Sequence, residues 1–302
     1  MEKFPPVNKK YYNYDYMNYK LYFYFISSYI LGLIIIPILS NIKIDSAAEL
    51  HNFQKEDLKK QKNETPILGG IIFIIPILFY LYQIKEYMLI IFLIFSLLIG
   101  FIDDFIKLVD KTRQNGISRD IKIILYLINY LFFNKFIKQK NILDIKECIS
   151  YFAIIIGVLV TDGVDGLLGI LSIISCLFIM IFSSELVVKN ISKIVITCLC
   201  PFLIFNWNPA KIFMGDSGSS FLANILFYLF SFNKSSIFEL SSVYLIGFFS
   251  SLLQILSKKI INKKFLPVAP FHHSLESINW TNNEIILFYI ISYLIILIYY
   301  II

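Results

Sequence analysis

Long apolar runs separated by short polar interruptions dominate the chain. Ten of them are candidate spans: Leu21–Leu39, Ile67–Tyr82, Met88–Ile102, Ile121–Phe136, Ile149–Val160, Gly166–Phe182, Ile194–Phe205, Phe221–Phe232, Phe238–Leu256 and Ile285–Ile302. A helix rises about 1.5 Å per residue, so roughly 20 residues cross the ~30 Å of hydrocarbon in a bilayer. Several runs fall short of that length, and the short ones end in acidic motifs. This predicts helices that continue as segments buried in protein or lining a cavity. The pattern specifies an all-α polytopic membrane protein with about ten transmembrane helices. Residues 1–20 read as a polar, aromatic tail and 21–302 as a single transmembrane domain, with the first apolar run retained as a span.

Composition agrees with the pattern. The 302 residues are 58% hydrophobic and 16% charged, with mean hydropathy +0.72, which excludes a water-soluble globule. Cys148, Cys176, Cys198 and Cys200 lie in or beside apolar runs without the short paired spacing of a zinc or haem site, so they read as buried thiols. An even number of spans puts both termini on one side of the membrane. Lysine and arginine concentrate in the loops after odd-numbered spans, Lys59, Lys107, Arg113, Lys211 and Lys263 among them. The positive-inside rule then places those loops, and every acidic motif, in one cytoplasm-facing cleft.

The acidic motifs carry the chemistry. A carboxylate beside hydrocarbon costs roughly 2.5–3.5 kcal/mol on insertion scales, so an acid retained there has a functional reading by default. Asp103 and Asp104 are adjacent and repel unless a cation or proton separates them, and Lys107 and Lys111 follow at one-turn intervals. The bland alternative is a solvated helix end with local ion pairs. In Thr161-Asp162-Gly163-Val164-Asp165-Gly166 the two acids are three apart, the spacing of one helix face, while Asp162 alone could be an N-cap. Phe213-Met214-Gly215-Asp216-Ser217-Gly218-Ser219 reads as a glycine turn opening a helix, whose free N–H groups favour phosphate and whose aspartate suits Mg2+. His272 and His273 read as adjacent loop residues, a poor chelate and a better phosphate- or base-contacting pair.

Five segments occur in the order and approximate spacing of the polyprenyl-phosphate N-acetylhexosamine-1-phosphate transferases: Thr65–Gly70, Asp103–Lys107, Thr161–Leu167, Pro209–Ser219 and Pro270–Glu276. Within that superfamily the chain most resembles the phospho-N-acetylmuramoyl-pentapeptide transferases. The resemblance implies a multi-pass enzyme of the bacterial inner (cytoplasmic) membrane with its active site facing the cytoplasm. It implies exchange of UMP on UDP-N-acetylmuramoyl-pentapeptide for undecaprenyl phosphate, giving lipid I, with Mg2+ as cofactor. By matching motif, Asp103 and Asp104 handle the lipid phosphate, Asp216 is the Mg2+ ligand and a catalytic residue, and His272 and His273 lie at the nucleotide or phosphate site. Lys107 and Lys111 contact phosphate, Thr65, Asp162, Asp165 and Asn206 bind substrate, and Phe213 stacks on uracil. A homodimer is left open, and nothing points to nucleic acid.

Three departures from that family's pattern stand out. Leu159 replaces an asparagine, Ser274 replaces a third histidine, and Thr65–Gly70 reads TPILGG where TPTMGG is commoner. Two alternatives remain beside the muramoyl reading. One is a sister enzyme transferring N-acetylglucosamine-1-phosphate to the same lipid. The other is a cation-coupled transporter, which predicts acids at span midpoints and repeat symmetry.

Overall fold

The computed structural model describes residues 14–41, 65–109, 116–140, 144–233 and 237–302. Among these residues the chain is helical, with no strand. The helices are α1 (Tyr14–Asn41), α2 (Ile71–Gln83), α3 (Tyr87–Val109), α4 (Arg119–Phe132), α5 (Ile145–Thr161), α6 (Leu167–Phe182), α7 (Leu186–Asn206), α8 (Gly215–Ser231), α9 (Ile237–Ile261), α10 (Phe271–Ser277) and α11 (Asn282–Ile301). Each of the ten apolar runs falls on one long helix. Within α1, α3, α7, α9 and α11 lie stretches long and apolar enough to cross a membrane. Their outward faces carry exposed residues such as Ile34, Leu98, Ile204, Leu253 and Ile295, as lipid contact requires.

The shorter helices sit deeper. α8 is the centre of the bundle: every residue from Ser217 to Ser231 is buried. It packs on α2, α3, α5, α6 and α9. Seventeen residues span only about 25 Å, which suffices because α8 meets protein on all sides. The α3–α8 approach is very close. A Cβ on Gly100 of α3 would stand 2.0 Å from the Asp216 carbonyl oxygen, so only glycine fits there.

Element boundaries depart from the apolar runs where polar contacts take over. The run from Ile67 becomes helical only at Ile71, because Thr65–Gly70 pairs with 212–214: Phe213 N donates to Pro66 O at 2.8 Å, Gly69 N to Phe213 O at 2.8 Å and Gly70 N to Met214 O at 3.0 Å. The run from Phe221 begins as helix at Gly215, which brings Gly215–Ser219 of the glycine-aspartate motif into the start of α8, with Phe213 and Met214 just before it. The run ending at Phe136 leaves α-geometry at Phe133 and finishes as a π-turn, Phe133–Ile137. α1 starts at Tyr14, inside the segment read as a tail. The histidine motif, expected as a loop, is the short helix α10.

Replacing Gly100 by alanine should push α3 off α8. An overpacked core contact costs about 1–3 kcal/mol. The detergent-solubilised Gly100→Ala protein should therefore melt several degrees below the parent in a thermal-shift measurement, and an unchanged melting temperature would show the two backbones free to separate.

Candidate active site

The site is built where α3 meets the first turn of α8. Asp104, on the last turns of α3, accepts hydrogen bonds from Asp216 N at 3.0 Å and Ser217 N at 2.9 Å, one on each carboxylate oxygen. It thereby satisfies two of the N–H groups that a helix leaves unpaired at its start. The sequence had assigned those groups to phosphate. A carboxylate from another helix already holds them, and the effect is to fix Asp216 at the mouth of α8.

Asp103 points the other way around α3 and organises the cations. Its Oδ1 accepts from Ile117 N at 2.6 Å, and its Oδ2 lies 2.9 Å from Lys107 Nζ and 2.8 Å from Lys122 Nζ. Lys107 Nζ also sits 2.8 Å from Asp216 Oδ2, with Lys122 Nζ 3.8 Å away. The solvated-helix-end alternative fails on burial: Asp103 and Asp104 are 1% and 3% exposed. Asp216 is the accessible carboxylate, its side chain 36% exposed. Lys111 lies outside the described residues.

The loop between α5 and α6 brings in two more acids. Asp162 and Asp165 lie in a turn rather than on one helix face, and Asp162 ends α5 instead of capping α6. Asp165 Oδ2 accepts from Ala210 N at 3.3 Å. Burial, and then the charges of Asp216, Asp104 and Asp165, push the Asp162 carboxyl well above its usual range. Asn206 stitches this loop to the next motif. Its Oδ1 accepts from Gly166 N at 3.1 Å and its Nδ2 donates to Ile212 O at 2.9 Å, so both ends of the amide serve the backbone of the site loops.

The remaining motifs close around this core. Thr65 Oγ1 donates to Ala210 O at 3.4 Å, and half-buried Phe213 is clamped by the pairing with Pro66 and Gly69. His272 and His273 form an edge-on ring pair with centroids 4.4 Å apart, and both rings face Gly163: a Cβ there would lie 2.6 Å from His272 Nε2 and 2.9 Å from His273 Nε2. His273 Nδ1 is 2.6 Å from Glu276 Oε2, which orients the ring. Ser274, at the position of the family's third histidine, is buried and donates to the Val268 carbonyl, holding the loop before α10. Leu159 packs against the hydrophobic core and its carbonyl accepts from Asp162 N at 3.4 Å. The five motifs are thus joined into one constellation by direct contacts.

Lys122 is the residue that sequence reasoning missed. It stands in the first turn of α4, where the helix dipole disfavours a cation unless a carboxylate from elsewhere compensates. That misplaced charge was the available signal.

Five carboxylates, Asp103, Asp104, Asp162, Asp165 and Asp216, share this region with two ammonium groups, Lys107 and Lys122, among the described residues. The surplus of negative charge and the all-oxygen donor set suit a hard divalent cation. No three His, Cys, Asp or Glu side chains among the described residues form a ready-made cage. Mg2+ typically takes one or two carboxylates and leaves the remaining positions to water and substrate phosphate, so the accessible carboxylate of Asp216 is the residue that could hold it.

Comparison with known proteins gives the same grouping. The profile described as glycosyl transferase family 4 matches residues 87–239. A phospho-N-acetylmuramoyl-pentapeptide-transferase of Fervidobacterium nodosum is 30% identical over 277 residues, covering 86% of this chain and 90% of its own. Those of Dictyoglomus thermophilum and Clostridium beijerinckii are 32% and 31% identical, covering 78% and 87% of this chain and 83% and 88% of their own. Similarity at this level, running across α3 to α8 and well beyond, means that the chain belongs to glycosyl transferase family 4, among the phospho-N-acetylmuramoyl-pentapeptide-transferases.

Proposed function

We propose that the protein transfers phospho-N-acetylmuramoyl-pentapeptide from its UDP derivative to undecaprenyl phosphate, giving lipid I and UMP for peptidoglycan synthesis. The observation that carries this reading is Asp216, held by Asp104 at the mouth of a buried helix and flanked by Lys107 and Lys122. A phosphate oxygen of the lipid attacks the sugar-bearing phosphorus of the donor, the diphosphate bridge breaks, and UMP leaves. Phosphoryl transfer needs positioning and charge neutralisation more than covalent help.

Mg2+ on Asp216, when bound, supplies charge neutralisation at the donor diphosphate. The protein's own groups do the rest. Lys107 and Lys122 exchange part of their contact with Asp103 and Asp216 for the incoming phosphate oxygens. Asp104, with both oxygens on α8 amides, orients and does not react. Asp103 is likewise engaged on both oxygens. This supports direct attack by the lipid phosphate over prior attack by a carboxylate. A phosphate monoester has its second pKa near 6, so the acceptor arrives largely ionised at neutral pH and needs no base. His272, His273, Asp165 and Phe213 line the side of the constellation assigned to the nucleotide.

We place about ten spans in the bacterial cytoplasmic membrane with the cleft toward the cytoplasm, a reading supported by the lysine distribution and the convergence of the motifs at one end of α8. Lys263, exposed in the loop before the histidine helix, reports on it. A cysteine at 263 in a Cys-free background should label only from the cytoplasmic side, and labelling from outside would break the topology.

A turnover assay in detergent with both donors tests the substrate. UDP-N-acetylmuramoyl-pentapeptide should support lipid product and UDP-N-acetylglucosamine should not; the opposite preference would make this the sister enzyme. Asp216→Asn should lower kcat by about 10²–10³, the loss typical of one removed electrostatic stabiliser, with membrane insertion and melting temperature retained. Turnover within tenfold of the parent at saturating Mg2+ would remove Asp216 from its assigned role.

A further inference from the structure

Three rungs connect α4 to α8 in register. Lys122 Nζ lies 3.8 Å from Asp216 Oδ2, Tyr126 OH is 2.8 Å from Ser220 Oγ, and Asn129 Nδ2 donates to Asn224 Oδ1 at 3.1 Å. On each helix the rungs are three or four residues apart, so each set lies along one stripe, and the two helices run parallel. The upper rung belongs to the reacting site. The lower two are fully buried, with Tyr126 6% exposed and Ser220, Asn129 and Asn224 at 1% or less. Tyr151 OH of α5 braces the lowest rung by donating to Asn224 Oδ1 at 2.9 Å.

Polar ends dominate the inward face of α4. Its buried residues are Tyr126, Asn129 and Tyr130, each with a polar end. Most of its apolar residues, including Ile121, Ile124, Leu127, Ile128 and Leu131, face outward and are exposed, while Leu125 and Phe132 are partly buried against the core. An apolar side chain gains almost nothing by choosing protein over lipid tail, so in a bilayer the hydrogen bonds fix which way a peripheral helix faces. Lys122 stands one helical turn above Tyr126 on the same stripe, so the rotation that this bond favours is also the one that brings Lys122 Nζ within 2.8 Å of Asp103 Oδ2.

We propose that Tyr126 is a positioning residue for the transfer reaction: its hydrogen bond to Ser220 sets the rotation and height of α4 and so holds Lys122 between Asp103 and Asp216. This rests on Lys122 handling phosphate, as put forward above. Without the bond the stripe above the Asn129 rung is held to α8 by Lys122 alone, and an ammonium displaced by about 1 Å from its working position can cost up to a hundredfold in rate. Donor binding uses other elements and is untouched.

The test is a double-mutant cycle read as kcat and donor KM, with product followed over hours so that strongly weakened proteins are still measured. Tyr126→Phe should lower kcat about tenfold and leave the donor KM within about twofold, the pattern of an interaction made in the transition state. In a Lys122→Gln background, Tyr126→Phe should have little further effect, because the group it positions is gone. Ser220→Ala breaks the same bond from α8 and must give the same two results, which keeps the test alive if Tyr126→Phe does not fold. Parental kcat in both single variants, or an equal loss in both backgrounds, overturns the proposal and leaves the bond a purely structural one. Parental kcat in Lys122→Gln alone refutes the phosphate-handling reading of that lysine, a different failure.

Discussion

A helix enclosed on every side by protein must have both ends satisfied by protein, and α8 is such a helix. The first N–H groups and last carbonyls of any helix lack partners within it, and here charged side chains from other elements supply them. Asp104 meets the start, and Lys138 Nζ donates to the Ser231 carbonyl at 2.7 Å at the finish. Each charge has the sign the helix dipole favours, an anion at the N-terminus and a cation at the C-terminus. The first pairing dictates much else. Asp104 reaches the α8 amides only because α3 and α8 touch at Gly100, and Asp216 is aimed outward only because its own N–H is tied to Asp104.

Two polar clusters inside the bundle show what is stability and what is function. Ser175 on α6, Tyr244 on α9 and Tyr293 on α11 form a neutral knot, with Ser175 Oγ 3.0 Å and 2.7 Å from the two phenols and Tyr293 OH donating to Leu240 O at 2.7 Å. It joins three helices with no charge buried. The acidic cluster is its opposite. Buried ion pairs seldom stabilise more than apolar residues of the same size, and breaking one leaves an exposed cost of about 3–5 kcal/mol. An excess of carboxylates over lysines is worse still without a ligand. Under the function proposed above, cation and phosphate would each neutralise what the other and the protein leave unbalanced.

Much of this was legible in the sequence. Apolar runs located every long helix, and acids at run ends located the site, because a carboxylate near hydrocarbon is too costly to be incidental. What escaped notice were partners supplied across helices. The N–H groups of Asp216 and Ser217 read as open to phosphate because Asp104, far away in the chain, gives no local sign of reaching them. Asn206 carried a binding role by resemblance, whereas its amide is spent on Gly166 and Ile212. Asp162 and Asp165 have helical spacing, but Gly163 and Gly166 break the helix between them and let the histidine rings close in. Lys122 was visible only as a cation at the wrong end of a helix.

The separation of Asp104 from its partner also bears on how the protein is made. The residue it caps comes 112 positions later. At roughly 5–20 residues per second, the ribosome needs on the order of ten seconds to deliver that partner. For that interval α3 holds two carboxylates near the edge of the bilayer with α8 not yet synthesised. Lys107, four residues beyond Asp103 on the same helix, is the one described cation of the site that arrives with them. Lys107 thus first serves as a counter-ion travelling with its own helix, which makes α3 fit to insert before there is any site to complete.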